Sequence, residues 1–252
     1  MSDRNGGRST DRFTRKKEAI LDAATAILNR KGVKGLTLGR AAEAVGLSTT
    51  SVTYYFKRKD ELAAACMMRG VQWLHAAAEE AVAAPTPPER LERLMTLYLD
   101  RLRLTALGEA APLPVLSDIR ALNNPQRAEV FDAFMKLFRK VRTLFESPDM
   151  SWLGRGRRTA RTHLLLEQLF WAAAWLPKYD PEDYPRIRER MIDILVGGMA
   201  AEGSAWAPIP APLAELTAVE DHETARETFL LAATRLINSR GYRGASVDKI
   251  SA

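Results

Sequence analysis

The stretch GLSTTSVTYYFKRKDEL, residues 46–62, reads as a tight turn, a short polar helix and a basic junction. Gly46 permits a sharp turn, Leu47 anchors it in a core, and the Ser48 hydroxyl is placed to cap the helix that follows. On that helix Val52, Tyr55 and Phe56 share one face at helical spacing. Thr49, Thr50, Thr53 and Tyr54 are left on the other side, small hydrogen-bonding groups of the kind that meet base edges and phosphates. Lys57, Arg58 and Lys59 then crowd three positive charges at the exit. A polar surface helix followed by a solvated charge run would look similar in isolation, so the preceding residues decide the matter.

Upstream, TRKKEAILDAATAILNRKG (14–32) sets Ile20, Ala23, Ala24, Ile27 and Leu28 three and four apart, the stripe of one amphipathic helix, with Gly32 as its stop. Thr37 stands where a cap is wanted, and Leu38, Ala41, Ala42 and Val45 make the buried stripe of a second, shorter helix. Helices joined by a short glycine turn must cross closely, and Ala41, Ala42 and Ala44 leave room for that. Residues 14–59 are therefore expected to form a three-helix unit ending in a helix-turn-helix, with Thr49–Phe56 as the reading helix.

This region resembles the DNA-binding domain of the tetracycline-repressor (TetR) family of bacterial regulators. The resemblance rests on Ala23-Ala24, the Gly32 to Thr37 link, Gly46-Leu47-Ser48, Tyr55-Phe56, and Lys59-Asp60 with Leu62. It departs where the family commonly has glycine and tyrosine in the reading helix, since Thr50 and Thr53 stand here, and Tyr54 is the substitute for the usual tyrosine phosphate contact. The expected base contacts are Thr49, Thr50 and Thr53, and the expected phosphate contacts are Thr37, Ser48, Tyr54, Tyr55 and Lys59.

Charge points the same way without the resemblance. Residues 1–59 carry 13 Lys plus Arg against 5 Asp plus Glu, a net of +8, and residues 60–252 carry 24 against 26, a net of −2. A basic face confined to one domain is the footprint of a polyanion, here double-stranded operator DNA. Residues 1–13, rich in Gly, Ser, Asp and Arg, are expected to form a disordered basic arm. No segment reaches the roughly 18 uninterrupted apolar residues of a membrane span, so a cytoplasmic protein without a membrane partner is expected. The single cysteine, Cys66, leaves no internal disulfide.

Beyond Asp60 the chain reads as amphipathic helices near 60–84, 88–107, 125–147, 156–176 and 183–201, with a short one near 114–122, separated by proline clusters. No strand signal is present, so the fold class is all-α. The resemblance implies that residues 60–204 surround a cavity for a small apolar effector, for which Trp73, Tyr98 and Phe134 are the lining candidates. It also implies a homodimer formed through the last two helices of this body, with Leu165, Leu169 and Ile194 as interface candidates. Three scattered histidines, one cysteine and no glycine-rich phosphate loop supply no catalytic set, so an enzyme is not expected, and no cofactor or metal is called for. The reading is a ligand-responsive repressor on a palindromic operator, the alternative being a DNA-binding regulator or architectural factor without a small-molecule effector.

The last feature is a repeat. Residues 229–252, FLLAATRLINSRGYRGASVDKISA, align without gaps on residues 20–43, ILDAATAILNRKGVKGLTLGRAAE, with seven identities. Ala232-Ala233-Thr234 fall on Ala23-Ala24-Thr25, Asn238 on Asn29, and Gly241 and Gly244 on Gly32 and Gly35. Residues 205–212 (AWAPIPAP) read as a semi-rigid linker, and 213–252 as an incomplete second unit that stops before any reading helix.

Overall fold

The computed structural model describes residues 4–198 and 225–241, and among these every regular element is helical. Helix α1 (Arg4–Gly35) is broken at Gly32, whose φ of 65° lies in the left-handed region that favours glycine. Helices α2 (Leu38–Ala44) and α3 (Thr49–Tyr55) follow, joined by the turn at Gly46. Leu47 N–H donates to the Ala42 carbonyl at 2.9 Å and closes that turn. Ile20, Ala24, Ile27, Leu28, Ala41, Ala42, Val52 and Phe56 are all buried, which is the stripe pattern read from the sequence.

One sequence expectation is overturned at the start of the chain. The arm placed at residues 1–13 is helical from Arg4, continuous with α1. Extending an existing helix needs no new nucleus, and Phe13 anchors this stretch on the rings of Tyr54 and Tyr55, at centroid distances of 6.0 and 4.7 Å.

Helix α4 (Lys59–Val82) starts directly after the reading helix and is the axis of the molecule, packing on α1, α5 (Pro87–Ala106) and α6 (Gln126–Arg142). Alanines, Gly70 and Cys66 line much of it, which allows the close approach of neighbours on several sides. A Cβ on Gly70 would lie 2.4 Å from the Pro114 ring, so only glycine lets the 113–122 segment lie against α4 here. Thr86 caps α5, with Pro87 and Pro88 in its first turn. Helix α6 ends at Arg142 rather than at the expected 147, because the Thr143 hydroxyl donates back to the Lys140 carbonyl and a 3₁₀ turn takes over before Pro148.

Helices α7 (Arg155–Trp175) and α8 (Tyr184–Gly197) complete the body, with α8 tied to α5 by Arg188 and Asp100 at 2.9 Å. The expected end of α8 at 201 lies outside the described residues, and the helix is capped by Gly198 at φ 84°. Helix α9 (Ala225–Arg240) rests on the 3₁₀ helix Leu116–Ala121, where Arg120 donates to the Asn238 carbonyl at 3.1 Å. Its following residue, Gly241, has φ 71°, a positive value like that of its sequence counterpart Gly32. Linker residues 205–212, and 213–224 and 242–252 of the proposed second unit, lie outside the described residues.

Candidate nucleic-acid interface

The reading helix is a short element that depends on its ends and on its seat. At its start the Ser48 hydroxyl accepts from Ser51 N–H at 3.1 Å and is linked to the Ser51 hydroxyl at 2.8 Å. At its end Val52 and Phe56 are buried against the other two helices. Thr37 does the same work for α2, accepting from Arg40 N–H at 3.1 Å. An ideal Cβ on Gly39 would lie 3.8 Å from the Thr49 hydroxyl and 4.0 Å from that of Thr37, so both hydroxyls border the same small gap between α2 and α3.

Thr49, Thr50 and Ser48 are exposed, and Tyr54 is the most open aromatic of the head at 69%. Thr53 is half-buried and its hydroxyl donates to the Thr49 carbonyl at 2.7 Å. That donor is committed to the helix itself, so Thr53 offers a base only its lone pairs and methyl group. Tyr55 is half-buried in the cluster with Phe13 and Tyr54, which turns it into a support for the helix as much as a contact. Phe13 is the member that sequence reading missed; an aromatic inside a Gly, Ser and Arg tract was the available signal.

The basic junction is divided by its surroundings. Arg58 pairs with Glu61 at 3.1 Å, and Glu61 also accepts from Lys57 N–H at 3.0 Å. The Arg58 guanidinium, more than any other cause, holds the Glu61 carboxyl below its ordinary value. Lys59 is exposed at the first turn of α4, where helix N–H groups and its ammonium both favour an anion.

Head and body are held together by Arg69 of α4, which reaches Glu18 at 3.0 Å, Asp22 at 2.6 Å and the Thr25 hydroxyl at 3.3 Å on α1. Asn29 adds a two-point grip on the 113–122 segment, donating to the Leu113 carbonyl at 2.8 Å and accepting from Val115 N–H at 3.0 Å. Cys66 is buried under Leu21, and loss of solvent pushes its thiol up to about 11, so it is no nucleophile at neutral pH.

Within the body the three effector candidates do not converge as one cluster of rings. Trp73 and Tyr98 are neighbours at 6.3 Å, with Arg101 over the Trp73 ring at 5.6 Å, while Phe134 packs on Phe170 of α7. Burial raises the Tyr98 phenol above its ordinary value. The interface candidates need correction. Leu165 and Leu169 are 2% and 0% exposed, inside the protomer's own core, and only Ile194 faces outward. Apolar residues lie on both sides of α7, and the outward side is carried by Leu164 and Trp171, the latter 64% exposed. Among the described residues no three His, Cys, Asp or Glu side chains gather as a metal site, and no helix is long and apolar enough to cross a membrane.

Residues 20–66 match the model of a family described as bacterial regulatory proteins, tetR family. Among solved structures the chain is similar to a TetR-family transcriptional regulator from Bordetella parapertussis 12822, at 20% identity and a TM-score of 0.59, over 73% of this chain and 98% of that one. PfmR, a TetR-family regulator from Thermus thermophilus, gives 19%, 0.57, 72% and 99%. AibR, solved with isovaleryl coenzyme A and operator DNA, gives 19%, 0.56, 71% and 96%. No curated protein matches the chain.

Proposed function

We propose that this chain is a DNA-binding transcription regulator of the TetR family, a ligand-responsive repressor acting in the cytoplasm as a homodimer on a palindromic operator; the match of residues 20–66 to the tetR family model and the shared fold support this reading. The observation that carries the reading is the capped helix α3, which turns Thr49, Thr50 and Tyr54 to solvent beside the exposed Lys59 while burying Val52 and Phe56. Thr49 and Thr50 are assigned to base edges, with Thr53 as an acceptor. Thr37, Ser48, Tyr54, Tyr55 and Lys59 are assigned to phosphates, each carrying an O–H or N–H donor, with the Ser48 hydroxyl shared with Ser51.

One seven-residue helix touches few base pairs, and two heads on successive major grooves supply the remaining specificity. The exposed side of α7 and α8, with Leu164, Trp171 and Ile194, is the surface assigned to the two-fold contact. An effector near Trp73 and Tyr98 would favour a pose whose head separation departs from the roughly 34–36 Å between successive grooves, and operator DNA would weaken effector binding by the same factor. That AibR is solved with both an acyl coenzyme A and operator DNA supports a ligand-gated reading.

The test is a pair of substitutions measured on palindromic and random duplexes. Lys59→Ala should weaken both equally and lower the salt slope by roughly one unit per phosphate contact in each head. Thr49→Ala or Thr50→Ala should instead relax preference at individual base pairs, at roughly 1–3 kcal/mol for each base-specific hydrogen bond removed. If all of these variants lower every affinity alike, Thr49 and Thr50 do not read bases. The alternative, a DNA-binding regulator without an effector, draws on the separation of Phe134 from the Trp73 and Tyr98 pair. A thermal-shift ligand screen followed by operator-release measurements separates the two.

A further inference from the structure

At the exit of α3 three rings close on one another. Phe13 and Tyr55 lie 4.7 Å apart with their planes inclined by 34°. Tyr54 stands across both, 6.0 Å from Phe13 at 82° and 5.4 Å from Tyr55 at 89°. Edge-to-face pairs at such distances suit the quadrupoles of aromatic rings. Two of the three rings belong to α3, and the third is supplied by α1.

Phe13 is brought to this place by a fixed helix. Ile20 and Leu21, about two turns on, are buried in the head. One turn on from Phe13, the Lys17 ammonium lies over the Phe56 ring, 6.0 Å from its centroid. Successive turns of α1 therefore meet the end of α3, and the place of Phe13 follows that of the whole helix.

Tyr54 gains most from such a wall. Its side chain is 69% exposed, and among the described residues its phenol has no hydrogen-bond partner, so the two neighbouring rings narrow the directions its O–H can take. An unrestrained side chain loses rotamer freedom on meeting a phosphate, which weakens binding by roughly a factor of two to ten. We propose that Phe13 is a positioning residue for DNA binding, holding the Tyr54 ring ordered before DNA arrives so that the phenol is aimed at a phosphate. Resting on the assignment of Tyr54 to a phosphate, this role extends the reading element back into the first helix, through a residue that acts without touching DNA.

The test is a double-mutant cycle of Phe13→Ala and Tyr54→Phe, read by fluorescence anisotropy on palindromic and random duplexes over a range of salt. Tyr54→Phe keeps the ring and removes the O–H, and should weaken both duplexes about tenfold per head. Phe13→Ala should weaken both by about two- to tenfold per head, with a single cooperative thermal transition retained. Both groups are uncharged, so neither substitution should change the salt slope. In the Tyr54→Phe background Phe13→Ala should have no further effect, and Phe13→Tyr, which keeps the ring, should bind at least as well as the wild type. Full additivity of the two substitutions, or unchanged affinity in Phe13→Ala, overturns the proposal and leaves Tyr54 as a phosphate contact. A fall in the salt slope of Phe13→Ala also overturns it, because the ring would then act by docking charged residues of α1 on DNA. If Tyr54→Phe binds both duplexes as the wild type does, the phosphate assignment of Tyr54 is wrong and the role of Phe13 falls with it.

Discussion

Helices α1 and α9 carry nearly the same apolar stripe and meet opposite fates. Ile20, Leu21, Ala24, Ile27 and Leu28 are buried, whereas their counterparts Phe229, Leu230 and Ile237 are exposed and Ala233 and Leu236 only half-buried. The matching glycines, Gly32 and Gly241, both take a positive φ, 65° and 71°. The difference lies in the neighbours. Helix α1 has α2, α3 and α4 around it, while among the described residues α9 meets chiefly the short 3₁₀ helix at 116–121. An amphipathic stripe states that a helix can be buried; the apolar area removed from water depends on what is there to cover it.

The contrast is broken most severely by a charge. Ile20→Asp should place an unpaired carboxylate in the core and cost at least about 4 kcal/mol, whereas Phe229→Asp at a 44% exposed site should stay within about 0.5 kcal/mol. Denaturant unfolding measures both, and alkylation of Cys66 under native conditions should rise only in the first. Equal destabilisation would mean that α9 is covered as fully as α1.

Glycine replacement comes next. Gly32→Ala forces a side chain into φ 65° and ψ −178°, a region essentially reserved for glycine, at roughly 1–3 kcal/mol. Gly241→Ala also meets a positive φ, 71°, but at the end of a helix with few neighbours among the described residues, so calorimetry should show no shift in the main transition.

Asparagine separates side chain from main chain. Asn29→Ala removes both bonds to the 113–115 backbone and should cost about 1–3 kcal/mol. Asn238→Ala should be close to neutral, because among the described residues the bond at this position is made by its backbone carbonyl, to Arg120. The smallest effect is expected from deleting residues 205–252. Operator affinity and its salt dependence should not change in fluorescence anisotropy, and the melting temperature should move by no more than about 2–4 °C, the equivalent of roughly 1 kcal/mol in a chain of this size. Loss of operator binding with assembly intact would show that the tail supports DNA reading.

Much of this was legible in the residues. The three-helix head, its caps at Thr37 and Ser48, the breaks at Gly32 and Gly46 and the helical succession of the body follow from local rules of spacing, capping and backbone freedom. The inner face of α3 was legible too, because Val52 and Phe56 sit one turn apart. What escaped was whatever depends on a partner from elsewhere in the chain. Phe13 belongs to the reading head only because α1 passes Tyr54 and Tyr55, and Arg58 is removed from the basic cluster by Glu61.

The sequence by itself determined an all-helical fold, a basic front, a capped short third helix and a later helix whose stripe resembles that of the first, since each of these rests on neighbours within a few residues. Only the tertiary structure decided which of two apolar sides of α7 faces inward, so that Leu165 and Leu169 belong to the protomer and Leu164 and Trp171 to its surface. It also decided that Trp73 and Tyr98 lie together while Phe134 turns to Phe170. Periodicity ranks the faces of a helix by hydrophobicity but is silent about what lies across from them, and burial is a property of the pair.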